Sequence, residues 1–199
     1  MRCVVCERFS WRLICPACLD ALSAPPVLRK LDCGLDVLSF YRFDEIDWLL
    51  HGKYQPIGST LYRHLARNAF RPFGKNFDHP TPCYAVGIDE TTTKGYAHTA
   101  ILSRALRSAN IRPIYSKLLA KNKLSYAGKS LTFRKANPRE FSYTGPTDRE
   151  IILVDDVVTT GTTLCEAKAS VESSGGQVAF ALTLADARDS SPIIDKAYD

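Results

Sequence analysis

The sequence predicts an α/β fold, in which an open, mainly parallel β-sheet carries helices on both faces and follows a small N-terminal module. Two continuous apolar runs, Cys83–Ile88 and Ile151–Val154, are typical of strands buried on both faces. A polar loop and a helix-compatible segment follow each run, which is the order found in parallel sheets. Four of the seven cysteines form two C-x-x-C pairs near the N-terminus. We therefore expect two units, residues 1–24 and residues 35–199.

The N-terminal module is predicted from cysteine spacing. Cys3-x-x-Cys6 and Cys15-x-x-Cys18 are separated by eight residues, and each pair can aim two thiolates at one ion. Two such pairs complete the tetrahedral arrangement of structural zinc. Redox chemistry is the alternative, but one C-x-x-C pair would suffice for it. We expect zinc at Cys3, Cys6, Cys15 and Cys18, and metal binding of about 10–16 kcal/mol would supply the folding free energy of the module.

The linker from Ala21 to Lys30, which contains Pro25-Pro26, is predicted to end this module. The other cysteines, Cys33, Cys83 and Cys165, are expected to be small buried residues or bystanders without a role. An odd total with paired thiols argues against a disulfide framework and predicts a cytoplasmic protein.

Composition limits the classes of protein to consider. At 199 residues, 45% of them apolar, the chain is long enough for one domain with its own core. No apolar run approaches the roughly 18 residues of a membrane span, and the N-terminus lacks the features of a secretory signal. The net charge of +5 suits phosphate-bearing partners without establishing them.

The segment after the linker is predicted as a strand and two helices. Leu35–Phe43 alternates and is aromatic, which indicates a strand in a hairpin or at a sheet edge. Ile46–Leu50 keeps helical spacing, and a second helix is expected over Leu61–Phe70. Lys53-Tyr54, in the turn between these helices, is a candidate to face a pocket, and a solvated lysine is the alternative.

A strand–loop–helix–strand unit follows. Cys83–Ile88 is the first strand, a polar loop leads to a helix over residues 96–108, and Ile111–Tyr115 is the next strand. The run from Lys117 to Arg139 then holds seven basic residues and no acidic one. Such a long polar stretch is typical of a lid or binding loop, with aromatics suited to stacking. A solvated loop whose aromatics anchor it to the core is the alternative.

The stretch Ile151–Thr163, IILVDDVVTTGTT, is the most informative part of the chain. We expect a buried strand that ends at the acidic pair Asp155-Asp156, and then a small hydroxyl-rich loop. A helix over Leu164–Ser174 follows, where Thr163 and Glu166 have capping-box spacing. A helix N-terminus with a glycine before it suits a phosphate, whereas paired carboxylates suit hydroxyls or Mg²⁺. Together these groups fit a sugar phosphate.

A nucleotide-hydrolysing site is the alternative, since a Walker B strand also ends in acidic residues. That site would need G-x-x-x-x-G-K-[ST] elsewhere in the chain. The candidate Gly128-Lys129-Ser130 has Lys123 in the place of the first glycine and follows no apolar run. We therefore set this alternative aside. Beyond the central stretch, Gly175-Gly176 should end the helix and Gln177–Ala185 should form the last strand.

The central stretch resembles, position by position, the 5-phosphoribosyl-1-pyrophosphate (PRPP) signature of type I phosphoribosyltransferases. The resemblance implies the sheet of that family, with PRPP and Mg²⁺ as ligands and the ribose held by Asp155 and Asp156, directly or through water and metal. It implies that the segment after the acidic pair binds the 5-phosphate: Val157, Val158, Thr159, Thr160, Gly161, Thr162 and Thr163. It also implies that the first loop binds the pyrophosphate, through Thr92, Thr93, Lys94 and Gly95.

The chain as a whole resembles the ComF family, in which an N-terminal Cys₄ zinc module precedes a phosphoribosyltransferase-like domain. The segments Leu50–Tyr54, Lys94–His98 and Arg134-x-x-Asn137 carry this resemblance. In the second segment, lysine and alanine stand where the family's usual RGFN has arginine and asparagine. The resemblance implies a role in natural transformation, acting on incoming single-stranded DNA in the cytoplasm, in contact with other competence proteins.

Two functions from different classes stay open. The first is a phosphoribosyltransferase that releases pyrophosphate from PRPP, as in nucleobase metabolism or salvage without a DNA role. The second is a PRPP-responsive protein that binds single-stranded DNA without turnover. A base-binding hood would favour the first, but no such segment is evident in the 14 residues after Ala185.

Overall fold

The structure is a computed structural model that describes residues 1–22, 25–52, 55, 57–89, 95–122 and 137–188. Its strands are β1 (Val27–Lys30), β2 (Asp36–Arg42), β3 (Cys83–Gly87), β4 (Ile111–Ile114), β5 (Leu118–Ala120), β6 (Phe141–Tyr143), β7 (Glu150–Val158) and β8 (Gln177–Asp186). Its helices are α1 (Pro16–Ala21), α2 (Phe43–His51), α3 (Gly58–Asn68), α4 (Phe70–Asn76), α5 (His98–Ala105) and α6 (Thr162–Ser173).

The central sheet has six strands in the order β1-β2-β8-β7-β3-β4. All neighbouring pairs from β2 to β4 are parallel, and only β1 pairs antiparallel, with β2. The predicted α/β class with a mainly parallel sheet is therefore confirmed. Strands β5 and β6 form a separate antiparallel ribbon. The aromatic strand predicted over Leu35–Phe43 is β2, and it does belong to a hairpin. It is not an edge strand, because it pairs with β1 on one side and with β8 on the other.

Both faces of the sheet are covered, as the continuous apolar runs predicted. Ile151 and Leu153 pack with α6 in one core, whereas Ile152 and Val154 pack with α2 to α5 in the other. All four side chains are fully buried. Because successive residues of a strand point to opposite faces, a strand buried on both sides must be apolar at every position.

The N-terminal module packs against the face of the sheet that carries α2 to α5. Its residues Cys3, Leu13 and Ile14 belong to the same buried cluster as residues of α2 and α3. The Asn68 side chain on α3 also donates a hydrogen bond to the Leu19 carbonyl, at 3.5 Å. The module therefore contributes apolar contacts to the main core in addition to its cysteines.

Three predictions about element boundaries are wrong. The linker predicted up to Lys30 contains β1, which pairs with β2 from Val27 onward. The single helix predicted over 61–70 is divided at Ala69 into α3 and α4. Pro72 explains the division, because it has no N–H to donate to the carbonyl of Asn68. The helix predicted over 96–108 is shorter, since α5 begins at His98.

The acidic pair does not end its strand either. β7 continues through Asp155 and Asp156 to Val158, because it keeps pairing with β8 as far as Asp186. Its pairing with β3 stops earlier, at Val154. The two carboxylates therefore lie on the part of β7 that extends beyond β3, at the carboxyl end of the central strands. None of the helices described here is long and apolar enough to cross a membrane.

Candidate functional site

The topology of the sheet places a crevice between β3 and β7. From β3 the chain passes through α5 to β4 on one side, and from β7 it passes through α6 to β8 on the other. Helices α5 and α6 therefore lie on opposite faces, and the loops after β3 and β7 separate at the sheet's carboxyl edge. Such a switch point is where open α/β sheets bind their ligands. The sequence motif from Ile151 to Thr163 ends at this crevice.

The acidic pair is held in place by the main chain. Asp155 accepts a hydrogen bond from the Asp156 N–H at 2.8 Å, and Asp156 accepts one from the Val157 N–H at 2.9 Å. Asp156 is only 8% exposed. A buried carboxylate needs charged or hydrogen-bonding partners, so the residues around Asp156 define the inner wall of the crevice.

Two side chains that the motif analysis did not assign to the site surround Asp156. The Tyr62 hydroxyl on α3 donates a hydrogen bond to Asp156 Oδ2 at 3.2 Å, and His98 Nε2 lies 3.6 Å from the same oxygen. Burial, together with the charge of Asp156, raises the pKa of Tyr62 well above its usual range, so its hydroxyl stays a donor. No local pattern marks Tyr62, and the one signal for His98 was its place in the segment Lys94–His98.

The donor set of the crevice fits a divalent cation. One oxygen each from Asp155 and Asp156 and one ring nitrogen from His98 lie within 4.8 Å of one another. Carboxylate oxygens are the ligands that Mg²⁺ prefers, and this ion usually keeps several waters and binds ligand phosphates as well. Two protein carboxylates at an open crevice match that need.

The loop after β7 forms the second wall. Gly161 has φ of +83° and is the residue directly before α6. The hydroxyls of Thr160 and Thr162 lie 3.0 Å apart. The first N–H groups of a 12-residue helix therefore open into the loop, together with hydroxyl donors and the positive end of the helix dipole. These are the features of an anion site at a helix N-terminus.

The predicted capping box is wrong. Helix α6 begins at Thr162, and its N-cap residue, Gly161, has no side chain that could cap it; the Thr162 N–H makes only a long hydrogen bond, of 3.5 Å, to the Thr160 hydroxyl. Glu166 instead accepts a hydrogen bond from the Arg139 N–H at 2.7 Å. This bond connects α6 to the segment just before β6. The sequence spacing was correct for a box, but the glycine before the helix leaves its first turn uncapped and accessible to a ligand.

The β1–β2 hairpin, residues 27–42, forms one edge of the sheet and contacts this loop. Arg29 Nη1 donates to the Thr159 carbonyl at 2.7 Å and pairs with Asp186 at 3.1 Å. Arg29 is nearly buried, with 9% of its side chain exposed, so the ion pair is shielded from solvent. The turn of the hairpin is joined to α6 by a disulfide between Cys33 and Cys165. The prediction that these two cysteines are merely small buried residues is therefore wrong, whereas Cys83 is buried as a free thiol.

Replacing Gly161 by alanine should distort the loop more than the same change at Gly175, which ends α6. Both glycines have a left-handed φ, of +83° and +86°. A Cβ at Gly161 would lie 2.6 Å from Leu31, but one at Gly175 would meet nothing within 4 Å. We expect Gly161→Ala to cost about 1–3 kcal/mol more in unfolding free energy, measured by urea denaturation. Equal losses would contradict this contact, and Leu31→Ala should relieve the extra cost.

Several predicted site residues lie outside the described residues. They are Thr92, Thr93 and Lys94 of the first loop, Lys53 and Tyr54, and the middle of the basic run, residues 123–136. Gly95 is described and has φ of +87°. The base of the basic run is the β5–β6 ribbon. There Arg139 pairs with Asp89, at 3.6 Å, so this cation is directed to the end of β3.

The four N-terminal cysteines converge as their spacing predicted. Their sulfur atoms lie within 4.8 Å of one another, and those of Cys6 and Cys15 are 3.8 Å apart. Burial raises the pKa of Cys3, but the backbone N–H donors of Cys15, Cys6 and Val5 outweigh it and lower the pKa to about 6. Donors aimed at sulfur favour the thiolate that zinc binds. The donor set therefore fits a tetrahedral zinc ion.

Residues 93–199 match a family model described as "Phosphoribosyl transferase domain". No curated protein sequence matches the chain. Among solved structures, an adenine phosphoribosyltransferase is 15% identical and covers 85% of this chain and 89% of its own, with a TM-score of 0.42. An orotate phosphoribosyltransferase from Aeropyrum pernix is 17% identical and covers 80% and 73%, with a TM-score of 0.38. A hypoxanthine phosphoribosyltransferase from Staphylococcus aureus is 16% identical and covers 75% and 78%, with a TM-score of 0.39.

Proposed function

Because the chain belongs to the phosphoribosyl transferase domain family, we propose that its crevice binds PRPP together with Mg²⁺. The observation that carries this proposal is the pairing of the buried carboxylate Asp156 with an uncapped helix N-terminus at the sheet's switch point. Asp155 and Asp156 accept hydrogen bonds from the ribose hydroxyls or hold Mg²⁺. The loop Thr159–Thr163 receives the 5-phosphate, and a bound Mg²⁺ offsets negative charge on the pyrophosphate.

The first loop is proposed to bind the pyrophosphate, through Thr92, Thr93, Lys94 and Gly95. Gly95 supports this role, because its left-handed φ and open surroundings let the backbone approach an anion closely. The loop also follows β3, which is the parallel neighbour of β7 in the sheet. Pyrophosphate release from PRPP, measured with candidate nucleobases and with DNA, tests the reaction. Release with a base supports a transferase of nucleobase metabolism, whereas binding without release supports a PRPP-responsive binding protein.

We further propose that the chain handles single-stranded DNA in the cytoplasm during natural transformation, in contact with other competence proteins. The structural support is a cavity of about 1000 Å³ between α3, α4 and α5. We call it the basic groove, because it is lined by six basic residues: Arg63, Arg67, Arg71, Lys75, Arg104 and Arg107. All six are exposed. Among the described residues, none of them forms an ion pair.

The arrangement of these cations favours a polyanionic ligand. Arg63 and Arg67 are four residues apart on α3, and Arg71 and Lys75 are four apart on α4. Like charges at this spacing destabilise a helix, by about 0.2–0.5 kcal/mol per pair. A bound phosphate backbone would remove that repulsion. Tyr96 and Tyr115 also line the basic groove and present aromatic surface for stacking on bases.

The basic groove is a further candidate surface for DNA, in addition to the predicted basic run. Tyr96 lies two residues before His98, so one end of the basic groove borders the crevice of the acidic pair. A DNA strand bound in the basic groove would thus approach the ribose-phosphate site along α5. The basic run from Lys117 to Arg139 remains a second candidate surface for single-stranded DNA.

Changing Arg67, Arg71 and Arg107 together to alanine is expected to weaken single-stranded DNA binding. Salt dependence gives the number of phosphates contacted, because log affinity falls with log salt by about 0.7 per phosphate neutralised. If all three arginines contact phosphates, the slope should flatten by about 2. Fluorescence anisotropy of a labelled oligothymidine at several salt concentrations measures it.

The matched control changes Lys121, Lys123 and Lys129 of the basic run to alanine. Both triple variants lower the formal net charge from +5 to +2, since three cations are removed from the same chain. A non-specific charge effect would therefore act on both alike. If the salt slope of DNA binding is unchanged in the first variant and flattened in the control, the DNA-binding surface is the basic run and not the basic groove.

A further inference from the structure

Three side chains with metal-binding groups converge at the opposite end of the sheet from the crevice. They are His79, Cys83 and Glu150, and one ligand atom from each lies within 4.8 Å of the other two. We propose that they form a further metal site, separate from the four cysteines and from the acidic pair, which binds Zn²⁺ or a similar transition-metal ion through three protein ligands and one water. Glu150 and Asp155 are five positions apart on β7, which is about 17 Å at the rise of a strand. The two sites therefore share no ligand.

Two of the ligands are positioned by the sheet. Cys83 begins β3 and Glu150 begins β7, and these strands are parallel neighbours. The register that pairs Tyr84 with Ile151 also places Cys83 beside Glu150. Since both strands are fixed by buried side chains in the core, these two ligands are preorganised and do not depend on a loop.

The third ligand is held by a rigid turn. Pro80 and Pro82 fix two backbone angles in the segment between His79 and Cys83. The His79 ring stacks on Phe77, with 5.7 Å between the ring centres and an angle of 5°. Its Nδ1 lies 2.9 Å from the Thr81 carbonyl, which can only accept a hydrogen bond. A proton on Nδ1 would satisfy this contact and leave Nε2 for a metal ion.

The other ring nitrogen faces the carboxylate. His79 Nε2 lies 3.1 Å from Glu150 Oε2. With the proton on Nδ1, a neutral ring would turn its Nε2 lone pair toward a negative oxygen, so a cation must stand between them. That cation is either a second proton or a metal ion. A histidine that donates Nδ1–H to a backbone carbonyl and offers Nε2 is the usual arrangement of a zinc ligand.

Cys83 brings a third donor atom to this pair. A second proton on His79 would complete an ion pair with Glu150 alone. The Cys83 sulfur lies 3.7 Å from His79 Nδ1 and 3.8 Å from the Thr81 carbonyl, and one ligand atom from each of the three side chains lies within 4.8 Å of the other two. Sulfur, nitrogen and oxygen together suit zinc, and three protein ligands leave one position open for water.

The ligands are also accessible and close enough. The His79 and Glu150 side chains are 29% and 28% exposed, so an ion can enter from solvent and keep a water. Bonds of about 2.0–2.3 Å at tetrahedral angles separate ligand atoms by roughly 3.3–3.8 Å. Small side-chain rotations therefore bring the three atoms from their present spacing onto one ion.

The test uses the full chain with its N-terminal site loaded with zinc. Co²⁺ is titrated in the presence of excess Mg²⁺, which occupies the acidic pair, and the sulfur-to-cobalt charge-transfer absorption is followed. We expect about one additional thiolate-bound Co²⁺ per chain, which Zn²⁺ then displaces. His79→Gln and Cys83→Ser should each weaken this binding at least tenfold. Thermal melts of both variants check that they are folded, and His79→Gln changes a partly exposed side chain.

His64→Gln is the matched control. His64 is partly exposed, and its Nδ1 also faces a carbonyl, that of Thr60 at 2.8 Å, but no cysteine or acidic ligand of a described cluster accompanies it. This variant should bind Co²⁺ like the wild type. Absence of the charge-transfer signal in the wild type would overturn the proposal, as would its persistence in both His79→Gln and Cys83→Ser. PRPP binding is measured separately on the same proteins, so a failure of the metal-site proposal can be distinguished from a failure of the PRPP proposal.

Discussion

PRPP binding should be lost, to the limit of titration calorimetry with Mg²⁺ present, when Asp155 and Asp156 are both replaced by alanine. Each hydrogen bond to a charged acceptor contributes about 1.5–3 kcal/mol, so removing two acceptors should weaken binding by roughly 10²- to 10⁴-fold. The loss of Mg²⁺ ligands acts in the same direction. Unchanged affinity would refute the ribose and metal role of the pair.

Folding must be separated from binding in that experiment. Removing Asp156 leaves the buried Tyr62 hydroxyl without this acceptor, which should cost about 1–3 kcal/mol of stability. Asp156→Asn keeps an acceptor oxygen and removes the charge, so it should stay folded while binding PRPP weakly. Asp78→Ala with Asp148→Ala is the matched control, because both carboxylates are exposed. The control variant should bind PRPP as the wild type does.

Removal of zinc is expected to have the largest effect on stability. Metal analysis of the purified protein should find about one zinc per chain bound at Cys3, Cys6, Cys15 and Cys18. Structural zinc contributes about 10–16 kcal/mol in isolated fingers. Here Cys3, Leu13 and Ile14 belong to the core shared with α2 and α3, so chelation should also lower the melting temperature of the main domain.

The control for zinc removal is a variant with Cys3 and Cys15 replaced by serine. A chelator should destabilise the wild type and have no further effect on this variant. A metal-free protein with a folded N-terminus would contradict the zinc assignment. So would a disulfide within either C-x-x-C pair, detected by mass spectrometry of the unreduced protein.

The elements that sequence predicted well are those determined by local pattern. The apolar runs at Cys83 and Ile151 became central strands because burial on both faces demands continuous apolar residues. The loop after β7 has a left-handed Gly161 directly before a helix, as its composition indicated. Cysteine spacing likewise brought four sulfur atoms together. In each case the residues that determine the structure are close together in the chain.

The features that sequence reasoning missed depend on distant residues. Tyr62 reaches Asp156 across 94 positions, and Arg29 reaches Thr159 across 130. The disulfide joins Cys33 and Cys165 across 132 positions. No periodicity or spacing within a single segment encodes such contacts, because they arise only when the sheet order brings the hairpin beside β8 and α3 beside β7.

The two outer strands of the sheet have a consequence for assembly. An unprotected edge strand invites strand addition from another chain and, with it, aggregation. β4 has four residues, and one of them, Pro113, has no N–H to donate to a new neighbour. β1 is equally short and carries an exposed Lys30, but it also exposes Val27 and Leu28. The β4 edge thus resists extension, and a continuous intermolecular sheet through that edge is not expected.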